Sequence, residues 1–199
     1  VPTASIEESM QAFVNFCNDH GGINGRKIEL TKIDSKLFSH LEATKEACNA
    51  GVFAIVGSGS VTDNTGAQAM VDCGLIEVPA YTATATKAMS DNLVQPLPNP
   101  SNEFNASVAR YFAKQNPKAI KKAAILASNI ETATVQADRI KEAYEKAGFT
   151  FVYTKYTGVV QESYASEARE MKKKGVQYFM MVSAVSELNK VLRDMKTQG

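Results

Sequence analysis

The chain reads as an α/β protein of two hinged lobes, each a parallel sheet flanked by helices and incomplete at both ends of the sequence. Three observations predict this. Short apolar runs of strand type alternate with segments of helical apolar spacing along most of the sequence. Gly51, Gly74, Gly148 and Gly175 each stand just past a helical segment, where a left-handed stop is common. The alternation is interrupted once, by Gln95-Pro96-Leu97-Pro98-Asn99-Pro100-Ser101-Asn102, and then restarts. That seam divides the chain into a first lobe over 1–98 and a second over 99–199.

In the first lobe, Ile6, Met10, Phe13, Val14 and Cys17 share one helical face, so residues 5–19 form a helix. The turn-rich stretch Asp19 to Arg26 follows. Lys27 to Asp34 alternates as a strand, and Leu41 to Asn49 is a second helix. Val52-Phe53-Ala54-Ile55-Val56 is a buried strand that empties into Gly57-Ser58-Gly59-Ser60. A helix over 62–73 comes next, then a short strand over 75–80 that runs into Tyr81-Thr82-Ala83-Thr84-Ala85-Thr86. A helix at the very start ought to follow a strand, and none precedes it.

The second lobe has the same grammar. Helices are expected over 103–115, 134–147, 163–174 and 185–196. Strands are expected over 122–127, 149–154 and 177–182. The alternation stops in mid-stride.

Composition narrows the classes. A hydrophobic share of 44% supports an ordinary core, and the net charge is +1. The densest basic run, Lys172-Lys173-Lys174, precedes Gly175 and reads as a solvated helix end, where cations suit the dipole. No nucleic-acid partner is expected. No apolar run approaches the roughly 18 residues of a membrane span.

Catalysis is hard to assemble. His20 and His40 fall in expected surface connections and read as solvated loop residues, not as general bases. Paired-histidine and Cys-x-x-Cys spacings are absent, so no metal is expected. Gly57-Ser58-Gly59 falls short of the Gly-x-Ser-x-Gly nucleophile elbow, and no phosphate loop with its lysine exists. A dinucleotide reading finds Gly57-x-Gly59 after a strand and Glu77 some way on, but Thr62 occupies the third glycine position. No enzyme and no cofactor are expected. Cys48 and Cys73 are either two small buried hydrophobes or a disulfide.

The positive signal is a pair of hydroxyl-rich loops, 58–60 and 81–86, at the ends of successive strands. In a parallel sheet the carboxyl ends of neighbouring strands share one edge, where ligands bind. Hydroxyls and backbone N–H groups there suit a small anion such as a carboxylate. The same Ser60, Thr62 and Thr84 would also serve simply as helix caps.

Gly21-Gly22-Ile23-Asn24-Gly25-Arg26-Lys27-Ile28-Glu29-Leu30 closely resembles the segment after the first helix in periplasmic binding proteins of the leucine/isoleucine/valine type. These are the solute-binding components of ABC transporters. Ala54 to Ser60, Val78-Pro79-Ala80, Ala143 to Gly148 and Met171 to Val176 resemble the same family in the same order.

The resemblance implies two lobes hinged at Gln95–Asn102, with a small solute in the cleft between them. It implies that an amino acid or other small carboxylate is held by Ser60, Thr84 and Thr86, with Ser58, Gly59 and Thr82 helping to line the site. It implies delivery to an ABC permease, or signalling by lobe closure in a receptor or regulator of the same fold. The family usually has a Tyr-Gly pair after the first strand of the second lobe, where this chain reads Asn129-Ile130-Glu131-Thr132. Family members from Gram-positive bacteria have cysteines like Cys48 and Cys73, which implies a disulfide and leaves Cys17 free. The resemblance also places the chain in the periplasm or outside the cell, peripheral to the membrane, with a lipid anchor ahead of residue 1 as one way of holding it there. The family chain is longer, so this sequence reads as a fragment.

Overall fold

A computed structural model describes residues 4–96 and 102–199. The chain divides into two compact units, Val1–Ser101 and Asn102–Gly199. The proline-rich stretch expected to act as a hinge lies, over 97–101, outside the described residues.

The first unit contains helices α1 (Ala4–Asp19), α2 (His40–Asn49), α3 (Asn64–Asp72) and the short α4 (Ala85–Ala88). Strands β1 (Ala54–Val56) and β2 (Ile76–Val78) pair in parallel, with Ala54 opposite Ile76 and Val56 opposite Val78. Leu93 bridges Glu77 on the other side of β2. The core is small. Ala47, Met70 and Leu75 are buried, with Ile33, Val52 and Ile55 packed against them. Phe53 is 94% exposed, and Phe13, Phe16, Val56 and Ile76 are also uncovered.

The Gly-Gly-Ile-Asn-Gly-Arg stretch forms a tight two-residue turn. Ile23 N–H donates to the Arg26 carbonyl at 2.8 Å, and Arg26 N–H donates back at 3.0 Å. The central residues Asn24 and Gly25 both have positive φ, 52° and 74°. Turns of this mirror-image kind select Asn-Gly.

One expected strand is not observed. Residues 27–34 join no β-ladder. The apolar alternation there is real, but a strand also needs a neighbour to bond. Instead the Asn18 side chain serves this stretch, accepting from Ile28 N–H at 2.7 Å and donating to the Ile28 carbonyl at 2.9 Å.

The second unit is a three-stranded parallel sheet in the order β4-β3-β5. The strands are β3 (Ala123–Ser128), β4 (Phe151–Thr157) and β5 (Tyr178–Val182). Helices α5 (Ser107–Gln115), α6 (Glu131–Lys146), α7 (Ala165–Lys173) and α8 (Val185–Gln198) flank it, and a 3-10 turn, Ala119–Lys122, leads into β3. Every residue of β3 is buried. Alternate side chains feed two cores, as strand geometry dictates. Ala123, Ile125 and Ala127 pack with Ala137, Ile140, Tyr144 and Phe149. Ala124 and Leu126 pack with Tyr164, Met171 and Val191. The central strand reads as continuous apolar sequence because helices cover both its faces.

The four glycine helix stops all have positive φ, between 64° at Gly51 and 97° at Gly148. No helix of the described residues is long and apolar enough to cross a membrane.

Candidate functional site

The two hydroxyl-rich loops lie side by side at the carboxyl edge of the β1–β2 pair. The ladder continues past the strands to hold them. Gly57 N–H donates to the Val78 carbonyl at 2.9 Å, and Ala80 N–H donates to the Ser58 carbonyl at 2.8 Å.

Two buried carboxylates then lock the loops. Asp63, at the start of α3, reaches across to the second loop. It accepts from Ala83 N–H at 2.6 Å, from Thr84 N–H at 3.3 Å and from the Thr84 hydroxyl at 2.8 Å. Glu77, on β2, accepts from the Ser58 hydroxyl in the first loop and from the Lys87 ammonium on α4. Glu77 and Lys87 side chains are each 2% exposed, a buried ion pair.

The residues expected to hold a ligand therefore differ in what they have free. Ser60 is 5% exposed, and its Oγ accepts the Thr62 N–H at 3.1 Å. It also lies 3.3 Å from the Thr62 hydroxyl. Thr84 is 2% exposed. Its hydroxyl hydrogen goes to Asp63, and its oxygen caps α4 by accepting the Lys87 N–H at 3.3 Å. Ser58 is committed to Glu77. Thr82 is buried, and Thr86 is exposed on α4. Gly59 faces the Tyr81 ring, since a Cβ there would stand 2.3 Å from Tyr81 Cε1. Its lack of a side chain admits that ring. Burial first, and the Asp63 charge second, raise the Tyr81 hydroxyl above its ordinary pKa.

His40 is not a solvated loop residue. It opens α2, and its ring presses against α3 where Gly66 has no side chain; a Cβ there would come within 2.9 Å of His40 Cδ2. Its Nε2 is buried with no hydrogen-bond partner among the described residues. Burial, followed by the nearby Lys87 charge, lowers its pKa. His20 is exposed at the end of α1, with Nδ1 2.8 Å from the Phe16 carbonyl.

Cys48 at the end of α2 and Cys73 at the end of α3 are joined as a disulfide, with Cα atoms 6.1 Å apart. Cys17 is free. A groove of about 410 Å³ beside the disulfide is lined by Lys45, Cys48, Asn49, Ala69, Asp72 and Cys73. It lies at the opposite ends of α2 and α3 from the hydroxyl loops. Among the described residues no cluster of His, Cys, Asp or Glu could hold a metal ion.

The second unit has its own polar edge, which sequence reasoning missed. Ser128 ends β3, Thr157 ends β4 and Ser183 follows β5. The Ser128 and Ser183 hydroxyls lie 2.9 Å apart. Below them Glu187 is buried. It accepts from the Tyr164 hydroxyl at 2.9 Å, from Gln161 N–H at 3.0 Å and from Lys190 at 2.7 Å. The Lys190 hydrogen bond, above all, holds the Glu187 carboxyl below its usual range. Burial, then the bond to Glu187, pushes Tyr164 up to about 12. Strand-terminal hydroxyls were the available signal, but each was scattered singly in sequence.

Two parallel sheets flanked by helices, with polar loops gathered at their carboxyl edges, define an α/β protein. The chain belongs to the periplasmic binding protein family, which matches it over residues 2–199. Solved structures agree on the fold. The branched-chain amino acid transporter substrate binding protein LivJ from Streptococcus pneumoniae, in complex with isoleucine, superposes with a TM-score of 0.77 at 18% identity. The match covers 98% of this chain and 56% of that one. An ABC transporter substrate-binding protein from Desulfitobacterium hafniense, in complex with Leu, gives 0.70 at 18%, covering 98% and 59%. A solute binding protein of an ABC transporter from Rhodopseudomonas palustris, in complex with 3,4-dihydroxy benzoic acid, gives 0.71 at 18%, covering 99% and 55%. This chain thus spans between 55% and 59% of the length of these three neighbours. No curated protein matched the sequence.

Proposed function

We propose that this chain is part of a solute-binding protein that captures a small carboxylate, an amino acid above all, and delivers it to an ABC permease. The first unit holds the anionic end of the solute at the carboxyl edge of β1 and β2. Ser60 and Thr86 supply hydroxyls to it. Ser58, Gly59, Thr82 and Thr84 hold the loops in shape, and no bond of the solute is broken.

One observation carries the reading: the two hydroxyl loops are bonded to each other before any solute arrives. Asp63 accepts from three donors of the second loop, and Glu77 accepts from Ser58 of the first loop and from Lys87, whose charge balances its own. Hydrogen bonds already fixed in the free protein need little reorganisation on binding. The solute-bound neighbours, with leucine, isoleucine and a hydroxybenzoate, support a carboxylate as the common feature of the ligands.

The test is calorimetry of the complete protein against a panel of amino acids and small aromatic carboxylates. Binding of at least one carboxylate, lost on converting that carboxylate to an amide, is expected. Binding only of uncharged solutes would overturn the proposal.

A further inference from the structure

The near-zero net charge conceals an asymmetry. Residues 1–101 carry 6 Lys and Arg against 11 Asp and Glu, a net of −5. Residues 102–199 carry 16 against 10, a net of +6. The fold of the second unit concentrates that excess at one end. Strand β3 begins just after Lys118, Lys121 and Lys122. Helix α5 ends with Lys114, α6 with Lys146, α7 with Lys172 and Lys173, and α8 with Lys196. All these positions fall at the amino edge of the sheet, opposite the polar edge with Ser128 and Ser183.

The connections that carry them are stitched together. Gln177 N–H donates to the Lys122 carbonyl at 2.8 Å, and Thr150 N–H donates to the Ile120 carbonyl at 2.9 Å. Lys121 Nζ donates to the Gly148 carbonyl at 2.7 Å, and Lys172 Nζ donates to the Gln198 carbonyl at 2.5 Å. So Lys172-Lys173-Lys174, a solvated helix end in isolation, shares its edge with lysines from four other elements. The acids of this end are mostly committed: Glu142 pairs with Lys146 at 2.7 Å and Glu145 with Lys141 at 3.7 Å. Lys118, Lys122, Lys173, Lys174 and Lys196 are exposed and have no ion-pair partner among the described residues.

We propose that this lysine edge docks the second unit on an anionic lipid surface, with Lys118, Lys122, Lys173, Lys174 and Lys196 set against the headgroup phosphates. The charges are spread over several connections and do not converge on a point, which suits an array of phosphates better than one free anion. Phe112, Phe149 and Tyr178 near this edge pack against one another and Tyr111 on α5 is exposed, so the described residues offer no row of free rings on which successive bases could stack. Each lysine held near such a surface strengthens binding about fivefold, and salt weakens it. The polar carboxyl edge would be left facing away from the lipid.

The experiment is sedimentation of the full chain with vesicles of phosphatidylcholine alone or with phosphatidylglycerol, at low and physiological salt. Binding to the phosphatidylglycerol vesicles only is expected. The triple variant Lys122→Gln, Lys173→Gln, Lys174→Gln should bind at least tenfold more weakly, and Lys173→Gln alone about fivefold. A second triple that removes the same charge elsewhere, Lys27→Gln, Lys36→Gln, Lys155→Gln, should bind like the parent. No binding to phosphatidylglycerol vesicles, equal loss in both triples, or no loss in the first triple or the single variant would each overturn the proposal.

Discussion

Asp63 and Thr84 stand 21 residues apart in sequence and are joined by a 2.8 Å side-chain hydrogen bond, with both residues buried. Through it, the helix that follows the first loop controls the shape of the second. This bond and those of the Ala83 and Thr84 amides to Asp63 help to fix one hydroxyl-rich loop against the other.

Asp63→Asn keeps the size of the side chain but replaces one acceptor oxygen with a donor. One of the three donors now facing the carboxylate then faces an NH₂ group. A hydrogen bond to a charged group contributes about 1.5–3 kcal/mol. Urea unfolding should show a loss of that order. Ligand affinity should fall as well, although Asp63 is not placed against the solute. An unchanged urea midpoint would show that the loops are held by something else.

The Lys87–Glu77 pair should behave as buried pairs do. Lys87→Met alone leaves a buried carboxylate without its cation and should cost about 3–5 kcal/mol. Glu77→Leu combined with Lys87→Met should recover much of that loss, because desolvation of both charges disappears together. A double variant no more stable than the single one would contradict this account of the pair.

The two units should respond to acid in different windows. His40 has a folded pKa below its ordinary 6.5, so the unfolded chain takes up the proton first. Its contribution is present above pH 6.5 and is lost as pH falls from there through the lowered folded value. Glu187 is held below its ordinary 4.5, so its contribution is lost only as pH falls below 4.5 and through its lowered value. Urea titrations over a pH series should show both declines. His40→Gln should remove the first and leave the second, and Glu187→Gln should leave the first and shrink the second, to which the lowered Asp194 also contributes. A single decline insensitive to either substitution would contradict the assignment.

The disulfide closes a sequence separation of 25 residues across a small core. Reduction should cost the first unit about 2–4 kcal/mol, measured as a fall in the urea midpoint with reductant. Cys48→Ser with Cys73→Ser should abolish the reductant effect. A reductant effect that survives in the double variant would trace to Cys17 instead.

Much of the fold was legible because its signals are local. Helical spacing and the glycine stops place α1, α2, α6 and α7 within a few residues of the observed ends. What failed to show depends on neighbours. The alternation of residues 27–34 reports which faces are apolar, not whether a partner strand is there to bond. Leu93 pairs beside Glu77 although its surroundings look like a linker. Helix α4 is a single turn capped by Thr84, too short for any period to register. At the site, Ser60 and the threonines stood out as hydroxyls in a run. Asp63 and Lys87 did not, since a lone charge in sequence reads as solvated until the fold buries it. His40 was missed for the same reason, because the absent side chain that lets α3 approach it belongs to Gly66.

The central claim is that Ser60 donates to the anionic end of a bound solute. It is tested most directly by calorimetric titration of the complete protein and its Ser60→Ala variant with the best carboxylate of the panel. Loss of a hydrogen bond to a charged group predicts an affinity lower by about one to two orders of magnitude, with a modest fall in the melting temperature of the free protein because Ser60 Oγ also accepts the Thr62 N–H. An affinity equal to that of the parent would contradict the claim.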